Sequence, residues 1–426
     1  MSSEPCSSSE SDRKDIVVIG AGFVGLSCAL WLLRSGHRVT VVDHEPPSAS
    51  TDYRHACSYG NACTIALGAC LPVAMPGILS RVPGMLLDRD GPLSIYWRDL
   101  LAFAPWLYHF VRASGKRPVE EIVAVLGEML RLAEEGHASL IAEANVRDLV
   151  RRHGCMYVYR TPEEFQAART EIALREREQV RMEILSADDI RDREPNLAPH
   201  YHRGVLFSDA YHLDTPHRYA LGLASAVAAR GGRFLRGDAR LIGSGSRVEV
   251  DLKGTVLRPH RVVVAGGAWS AKLAAQIGER IRLETERGYH VEFATARPLL
   301  HSPTCYPSAG FYMVPLSQGL RAAGTVELGG LDKPFRAVRA AVIERRARFF
   351  LPALGKKTSD WLGFRPSMPD SIPVIGRSSV RPDVLYAFGH GHIGLTLAGI
   401  TGRIVCDLVN GDTPPIDLSP LRPNRY

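Results

Sequence analysis

Three glycines near the start of the chain have the spacing of a phosphate-binding loop. Residues Gly20-Ala21-Gly22-Phe23-Val24-Gly25 form the pattern Gly-x-Gly-x-x-Gly, which is a weak signal without its context. Gly20 permits a sharp turn out of a strand, Gly22 lets the backbone approach a pyrophosphate, and Gly25 allows close helix packing. A helix that begins here would offer N–H groups and its positive dipole end to the phosphates. The loop therefore predicts dinucleotide binding.

An acidic residue follows at the position expected for ribose recognition. Asp43 comes directly after the buried run Val39–Val42, where its carboxylate can accept hydrogen bonds from ribose hydroxyls. His44 and Glu45 are rival candidates for this role. A carboxylate here would repel a 2′-phosphate, which argues against NADP. The loop and the acid together leave NAD and FAD open.

The elements around the loop complete a β-α-β unit. Asp15–Ile19 is a short apolar run, Phe23–Ser35 has a helical pattern that ends at Gly36, and Val39–Val42 is a second buried strand. These residues make the smallest unit that binds a dinucleotide. Similar buried-strand signals recur later in the chain, at 261–265 and 384–388, and residues 233–236 have an alternating pattern.

The segments between these strands follow other patterns. Residues 98–113 and 118–150 are helical, whereas Tyr289–Ala294, Gly310–Val314 and Leu320–Leu328 form a β-rich stretch. We predict an α/β chain (α+β overall), with a discontinuous Rossmann-like dinucleotide-binding domain and an antiparallel-sheet substrate domain with helices. The expected boundaries are a disordered tail at 1–14, a dinucleotide-binding domain at 15–85, 200–275 and 360–426, and a substrate domain at 86–199 and 276–359.

Composition and charge indicate a globular enzyme. Of 426 residues, 45% are hydrophobic and 23% charged, and the formal charge is +7. The basic residues are scattered, which argues against nucleic-acid binding but leaves anionic substrates or an anionic membrane face open. The eight cysteines form no Cys-x-x-Cys pair and no metal-like group with histidine, so we expect reduced thiols and no metal. No signal peptide or membrane span is visible, which favours a cytoplasmic protein.

One helical segment leaves peripheral membrane contact open. The aromatic side chains in and beside 98–113 fit either core packing or a face that rests on the inner membrane surface. These residues are Trp97, Phe103, Trp106, Tyr108 and Phe110.

Three further segments resemble those of one enzyme family. They are Ala265-Gly266-Gly267-Ala268-Trp269-Ser270 after a buried strand, Gly363-Phe364-Arg365-Pro366-x-x-Pro369-Asp370, and Gly389-His390-Gly391-His392-x-Gly394 before the final helix. With the glycine loop, they resemble the FAD-dependent D-amino-acid oxidase/dehydrogenase superfamily across the chain after residue 14. The segment Tyr59-Gly60-Asn61-Ala62 is similar to the flavin-proximal segment of the bacterial D-amino-acid dehydrogenases, with D-hydroxyproline dehydrogenase as the narrower candidate.

The resemblance implies that the cofactor is FAD. The Gly266-Gly267 turn would pass close to the FAD phosphates or ribose, and residues 389–394 would lie against the isoalloxazine ring. Main-chain N–H groups there would stabilise negative charge on the reduced flavin. The predicted cofactor-binding residues are Gly20, Ala21, Gly22, Phe23, Val24, Gly25, Asp43, His44, Asn61, Ala62, Gly266, Gly267, Trp269, Gly389, His390, Gly391, His392, Ile393 and Gly394, with Tyr53 and His55 in the same flavin-proximal loop.

The candidate catalytic residues are Arg365, Tyr312 and His392. Arg365 can bind a substrate carboxylate through two parallel hydrogen bonds, as the resemblance implies, or can form a structural salt bridge for which Asp370 is a partner. Tyr312 falls on a strand that lines the substrate pocket in relatives, where it can bind the carboxylate or pack in the core. His392 replaces a small polar residue that is common in the branch, and can contact the flavin, contact the substrate or cap the helix.

The resemblance implies an FAD-dependent D-amino-acid dehydrogenase that transfers a hydride from a D-amino or imino acid to flavin N5. D-Proline or cis-4-hydroxy-D-proline is the favoured substrate. The alternatives are a glycine- or sarcosine-type oxidase that produces hydrogen peroxide, and an FAD-binding subunit of a heteromeric electron-transfer dehydrogenase. The electron acceptor stays open between oxygen, a quinone and a partner protein.

Overall fold

The computed structural model describes residues 13–88, 90–243, 245 and 247–426, so that most of the predicted tail lies outside the described residues. The strands are β1 Asp15–Ile19, β2 Arg38–Asp43, β3 Thr64–Ile65, β4 Leu93–Ile95, β5 Val150–Arg151, β6 Cys155–Tyr159, β7 Glu183–Leu185, β8 Arg203–Phe207, β9 Tyr211–Leu213, β10 Arg233–Arg236, β11 Arg240–Ile242, β12 Glu249–Leu252, β13 Thr255–Leu257, β14 Arg261–Val264, β15 Glu284–Phe293, β16 Thr304–Tyr306, β17 Phe311–Leu316, β18 Gly319–Leu328, β19 Lys357–Ser367, β20 Val374–Arg377 and β21 Val384–Phe388. The helices are α1 Phe23–Arg34, α2 Ile78–Leu87, α3 Leu100–Ala113, α4 Lys116–Arg131, α5 Ala133–Glu143, α6 Pro162–Ala167, α7 Arg169–Arg177, α8 Ala187–Arg193, α9 Pro216–Ala229, α10 Ser270–Gln276, α11 Ala337–Phe350 and α12 Gly394–Asn410.

A six-stranded sheet contains the strand that precedes the glycine loop. Its order is β10-β2-β1-β14-β21-β20, and every neighbouring pair is parallel except β20 with β21. Helices α1, α9 and α12 pack on one face, and α10 with the small sheet β11–β13 packs on the other. Because both faces are covered, the central strands are apolar throughout. The predicted parallel strands and the α/β class are confirmed.

A second, largely antiparallel sheet has nine strands. Its order is β19-β15-β18-β17-β16-β6-β8-β7, with β4 beside β18, and helix α11 packs against it. Only the pairs β16–β6 and β18–β4 are parallel. The predicted strands at 289–294, 310–314 and 320–328 are parts of β15, β17 and β18, but β15 begins five residues earlier than predicted, at Glu284.

Two strands that the predicted boundaries assign to the dinucleotide-binding domain pair in the large sheet instead. Strand β8 lies between β6 and β7, and β19 pairs with β15 along its length. The predicted ranges 200–275 and 360–426 therefore include strands of both sheets, and the division into domains stays a prediction.

The helical middle of the chain is more divided than predicted. The segment 118–150 contains α4, α5 and a short 3₁₀ turn, and the chain between 162 and 177 forms two helices. No helix within the described ranges is long and apolar enough to cross a bilayer. The seven cysteines that the structure describes are free thiols.

Candidate active site

The glycine loop packs closely against the segment after β14. Gly20 has a φ of +111°, and a Cβ atom there would overlap the carbonyl oxygen of Ala265, whereas a Cβ atom on Gly25 would overlap the carbonyl oxygen of Gly20. A Cβ atom on Gly22 would meet only the Oγ of Ser58, at 3.3 Å. Gly20 and Gly25 are thus needed for backbone packing, and Gly22 leaves space before the N-terminus of α1.

Asp43 lies beside this space at the end of β2. Its Oδ2 accepts a hydrogen bond from the backbone N–H of Ala21 at 2.7 Å, and its Oδ1 accepts one from Glu45 at 2.8 Å. Each carboxylate oxygen has a further lone pair, so Asp43 can also accept hydrogen bonds from a ribose. His44 is exposed and pairs with Asp238 through Nδ1 and Oδ1 at 2.9 Å. The geometry favours Asp43 over His44.

The second glycine segment also borders open space. Gly267 has a φ of +56°, and a Cβ atom on it would meet nothing within 4 Å. The buried Oγ of Ser270 has no hydrogen-bond partner among the described residues. Trp269 is partly exposed and packs edge-on against Phe364, with 5.6 Å between ring centroids. A cradle left by glycines and an unpaired hydroxyl fit a bound dinucleotide.

The loop predicted to reach the flavin is held by side chains of the large sheet. The buried guanidinium of Arg321 donates from Nη1 to the carbonyl oxygens of Tyr59 at 3.1 Å and Asn61 at 2.7 Å. The indole of Trp361 donates to the carbonyl oxygen of Arg54 at 2.7 Å. Sequence analysis did not identify Arg321 or Trp361, because neither belongs to a recognisable motif.

The predicted residues of this loop have different environments. The hydroxyl of Tyr53 is buried and donates to the carbonyl oxygen of Ala21 at 2.7 Å, which ties this loop to the glycine loop. The side chain of Asn61 accepts from the N–H of Cys63 at 2.7 Å. His55 is exposed, and Ala62 packs against the core beside the six-stranded sheet. Asn61 thus supports the local turn rather than extending into open space.

The predicted flavin turn is formed by two glycines in the left-handed region. Gly389 has a φ of +85° and Gly391 a φ of +52°. His390 is buried, with its Nε2 3.0 Å from Oγ1 of Thr401, and burial lowers its pKa to about 3. This neutral side chain belongs to the core. Within the turn, the N–H of Gly391 donates to the carbonyl oxygen of Pro366 at 2.8 Å, and the N–H of Ile393 donates to that of His390 at 3.0 Å. No side chain caps the N-terminus of α12, which begins at Gly394 directly after Ile393.

His392 forms a pair with a buried carboxylate that sequence analysis missed. Its Nε2 lies 2.9 Å from Oε2 of Glu286, whose side chain is 4% exposed, whereas the side chain of His392 is 44% exposed. Burial alone would raise the pKa of Glu286, but the hydrogen bond and charge of His392 and the charge of Arg365 outweigh it, and the pKa is lowered. Glu286 is therefore an anion at neutral pH.

A small cavity opens beside this pair. Its volume is about 40 Å³, and it lies between α3, α4, the segment after β3 and the flavin turn. One end is charged and the walls are mostly apolar. The lining residues are Ala69, Leu71, Val73, Phe110, Leu126, Glu286, Ser367, Met368, Ser371, His390, Gly391, His392 and Ile393.

Arg365 lies on β19, directly opposite Glu286 on β15. Its Nη1 donates to the carbonyl oxygen of Thr325 at 3.3 Å, and no carboxylate of a described residue lies within 4.0 Å of the guanidinium. Asp370 pairs instead with Arg425, at 2.8 and 3.0 Å, and accepts a hydrogen bond from a backbone N–H two residues ahead. The structure excludes a salt bridge between Arg365 and Asp370 and leaves donors on Arg365 available.

Tyr312 lies on the same face of the large sheet as Arg365. The registers of β17, β18, β15 and β19 place it there, with two strands between the two residues. Its hydroxyl donates to Oγ1 of Thr64 at 3.0 Å and lies 2.9 Å from Sγ of Cys155. Burial raises its pKa well above the usual range. Because the hydroxyl hydrogen is directed to Thr64, Tyr312 must rotate that hydrogen away to bind a carboxylate.

Comparisons with known proteins agree in family and fold. The family model for FAD dependent oxidoreductases, named DAO, matches residues 15–408. A D-amino-acid oxidase from Bradyrhizobium diazoefficiens is 36% identical over 425 residues, which cover 97% of this chain and 99% of that protein. The crystal structure of glycine oxidase from Geobacillus kaustophilus has a TM-score of 0.74 at 22% identity, covering 97% of this chain and 99% of that one. L-Proline dehydrogenase from P. horikoshii has a TM-score of 0.69 at 17% identity, covering 97% of each chain.

Proposed function

This chain belongs to the DAO family of FAD-dependent oxidoreductases, and we propose that it is a D-amino-acid dehydrogenase that oxidises the C–N bond of a D-amino or imino acid. The products are an imine, which hydrolyses to a 2-oxo acid or stays cyclic, and the reduced flavin. D-Proline or cis-4-hydroxy-D-proline is the favoured substrate, on the resemblance of the chain to the bacterial D-amino-acid dehydrogenases. The electron acceptor in this proposal is a quinone or a partner protein.

One observation carries the proposal. The guanidinium of Arg365 has a single main-chain hydrogen bond and no carboxylate partner among the described residues, and it lies opposite a buried anion that holds His392. A planar guanidinium with unused donors suits a substrate carboxylate. The guanidinium of Arg365 suits the carboxylate of an amino acid, and the imidazole of His392 suits its amino group.

Each polar residue then has a distinct role. Arg365 binds the carboxylate and fixes the orientation of the α-carbon. Glu286 accepts the Nε2–H of His392, which leaves Nδ1 as the nitrogen that takes a proton from the substrate ammonium. Bound FAD supplies the hydride acceptor. A neutral amine is the form from which a hydride can leave the α-carbon, so proton transfer to His392 prepares the substrate.

The cofactor site in this proposal uses the elements described above. Gly22 and the N-terminus of α1 face the phosphates, and Asp43 accepts from the ribose. The segment at Gly266-Gly267 and the hydroxyl of Ser270 border the same space. The uncapped N-terminus of α12 provides N–H groups for the flavin ring.

Replacing Gly22 by alanine is expected to weaken FAD binding by about tenfold or more while the protein still folds, because the new methyl group occupies the space in front of α1. Its only near neighbour is the Oγ of Ser58 at 3.3 Å, so the backbone need not move. Flavin content after gel filtration and titration of the apoprotein with FAD measure the effect. The matched control is Gly84→Ala, where a Cβ atom meets nothing within 4 Å. Equal FAD affinity of the two variants would contradict the assignment.

Anaerobic addition of D-proline or cis-4-hydroxy-D-proline to the purified protein is expected to bleach the oxidised flavin absorbance. The L-enantiomers, glycine, sarcosine and D-alanine form the comparison panel, and an artificial electron acceptor reports turnover. The stereochemistry of the response tests the orientation imposed by Arg365. Absence of bleaching with every D-amino and imino acid would refute the proposed function.

A D-amino-acid or glycine-type oxidase is the second candidate, favoured by the 36% identity to a D-amino-acid oxidase. The two candidates differ in what reoxidises the flavin. Formation of hydrogen peroxide in air at the rate of substrate loss would support the oxidase. Slow reoxidation in air with fast turnover of an artificial acceptor would support the dehydrogenase.

A further inference from the structure

Helix α3 has apolar side chains on both of its faces. Phe103, Trp106 and Ala113 are buried, so one face packs in the core. Leu101 and Tyr108 point the other way and are 88% and 58% exposed. An amphipathic surface helix would carry polar residues on its outer face. Core packing therefore accounts for the inner face of α3 and leaves its apolar outer face exposed.

Apolar exposure is concentrated in this part of the molecule. Of the fourteen large hydrophobic residues that are exposed in the described chain, seven lie between residues 73 and 111. Helix α2 is largely apolar and has no buried residue at all. We call this region the α2–α3 surface and define it by Leu79, Leu87, Trp97, Leu101, Tyr108 and Val111.

The charged side chains within the two helices of this surface have one sign. The sequences of α2 and α3 contain no Asp or Glu, and their only Lys or Arg residues are Arg81 and Arg112. Arg98 lies two residues before α3, and all three arginines are exposed. No carboxylate of a described residue lies within 4.0 Å of these three guanidinium groups. Of the acids that flank the helices, Asp99 pairs with Lys333 at 3.0 Å, and Asp88 is exposed directly after α2.

We propose that the α2–α3 surface docks on an anionic lipid bilayer. Exposed aromatic and aliphatic side chains next to unpaired arginines match the interface of such a membrane, where the apolar groups enter the headgroup region and the cations meet lipid phosphates. A second copy of the chain fits less well, because a two-fold contact would bring the same three arginines together. The three arginines without a carboxylate partner disfavour a basic protein partner in the same way.

The inner face of α3 covers the candidate active site. Phe110 lines the cavity that contains Glu286 and His392, and the indole of Trp106 donates to the carbonyl oxygen of Ser367 at 3.0 Å. Docking would therefore place the cavity one helix away from the lipid. If the proposed dehydrogenase activity holds, on which this last step rests, a lipid-soluble quinone reaches the site from the bilayer.

Co-sedimentation of the full-length protein with vesicles tests the docking without any assay of activity. We expect binding to vesicles of phosphatidylglycerol and phosphatidylcholine, weak binding to pure phosphatidylcholine, and a decrease with added salt. Replacement of Arg81, Arg98 and Arg112 by glutamine should lower the partition coefficient on the order of 100-fold. Leu87→Ser with Leu101→Ser should lower it on the order of tenfold.

Matched variants separate this surface from general charge and hydrophobicity. Arg233, Arg240 and Arg247 are equally exposed, and their replacement by glutamine should leave partitioning nearly unchanged, as should Ile184→Ser with Val380→Ser. Equal binding to both vesicle types, or equal losses in the control variants, would overturn the proposal. A dimer that Leu101→Ser dissociates, without vesicle binding, would show that a second copy occupies the surface. A protein that binds vesicles but oxidises no amino acid would refute only the proposed function.

Discussion

Arg365→Met is expected to lower kcat/KM for the amino-acid substrate by about 10²- to 10⁴-fold, mainly through a higher KM, with little change in stability. Two charge-assisted hydrogen bonds to a carboxylate are worth about 1.5–3 kcal/mol each, and both are lost. Arg365→Lys keeps the charge but cannot form the planar pair, so its loss should be intermediate. Steady-state kinetics and thermal unfolding of the flavin-loaded protein measure the two effects.

A substitution at Gly288, which lies beside Arg365, provides a second variant with a smaller perturbation. A Cβ atom on Gly288 would overlap the guanidinium of Arg365, which lies across β15 at this glycine. Because that group is the mobile end of a long side chain, Gly288→Ala should displace it without unfolding the sheet. We expect KM to rise and kcat to change less. The same substrate panel then separates misplacement of the cation from its removal.

The control is Arg425, which, unlike Arg365, has a carboxylate partner. Arg425 forms a nearly buried ion pair with Asp370, so Arg425→Met leaves an unpaired carboxylate and should lower the melting temperature clearly. KM should stay close to the wild-type value. If Arg365→Met destabilises the protein as much as Arg425→Met and leaves KM unchanged, Arg365 is structural and the proposed substrate site is wrong.

The parallel sheet could be predicted from the sequence because its information is local. Strands β1, β14 and β21 are covered on both faces and are continuous apolar runs, and Gly20 and Gly25 mark where the chain turns and packs. The end of the α1 pattern and the start of β2 were placed within one residue. Such elements need no knowledge of distant partners.

Strand β15 shows what local patterns cannot provide. Its first half, Glu284 to Gly288, is rich in charge and was not predicted as strand, yet most of it is buried. Neighbouring side chains face opposite sides: Glu286 meets His392, and Arg287 pairs with Glu327. Each of these partners lies tens of residues away, and only the sheet register brings them together. Charged residues in an alternating strand otherwise indicate a solvated face.

Proximity in the sequence also fails to predict the neighbours of Arg365. Asp370 is five residues away in the motif, but β19 carries the arginine into the large sheet, whereas the aspartate lies beyond the strand. Its partner is Arg425, the penultimate residue of the sequence. The buried anion beside Arg365 is Glu286, which no motif contains. The register of β15 and β19 alone supplies this pair.

Glu286→Gln is expected to lower kcat by about tenfold or more, because the anion that holds His392 and stabilises the proton taken from the substrate is lost. Glutamine keeps the shape and can still accept the hydrogen bond of His392, so only the negative charge is removed. Steady-state kinetics in the presence of an artificial acceptor provide the readout. An unchanged kcat would remove His392 and Glu286 from the reaction.

The dependence of stability on pH should report the negative charge of Glu286 independently of catalysis. The pKa of Glu286 is lowered in the folded protein, so its contribution to stability is present above the unfolded value of about 4.3 and is lost as pH falls through the folded pKa. The melting temperature of Glu286→Gln should therefore lie well below wild type at neutral pH and approach it in acid. Burial raises the pKa of Glu284, on the same strand, so its protonated form favours the folded state and this contribution is lost as pH rises. Because glutamine stays neutral, Glu284→Gln should be more stable than wild type at neutral pH. Glu284 and Glu286 lie two residues apart on one strand, so stability changes of opposite sign in the two Glu→Gln variants cannot come from a general loss of packing. Equal changes in the melting temperatures of both variants would refute the electrostatic role of Glu286.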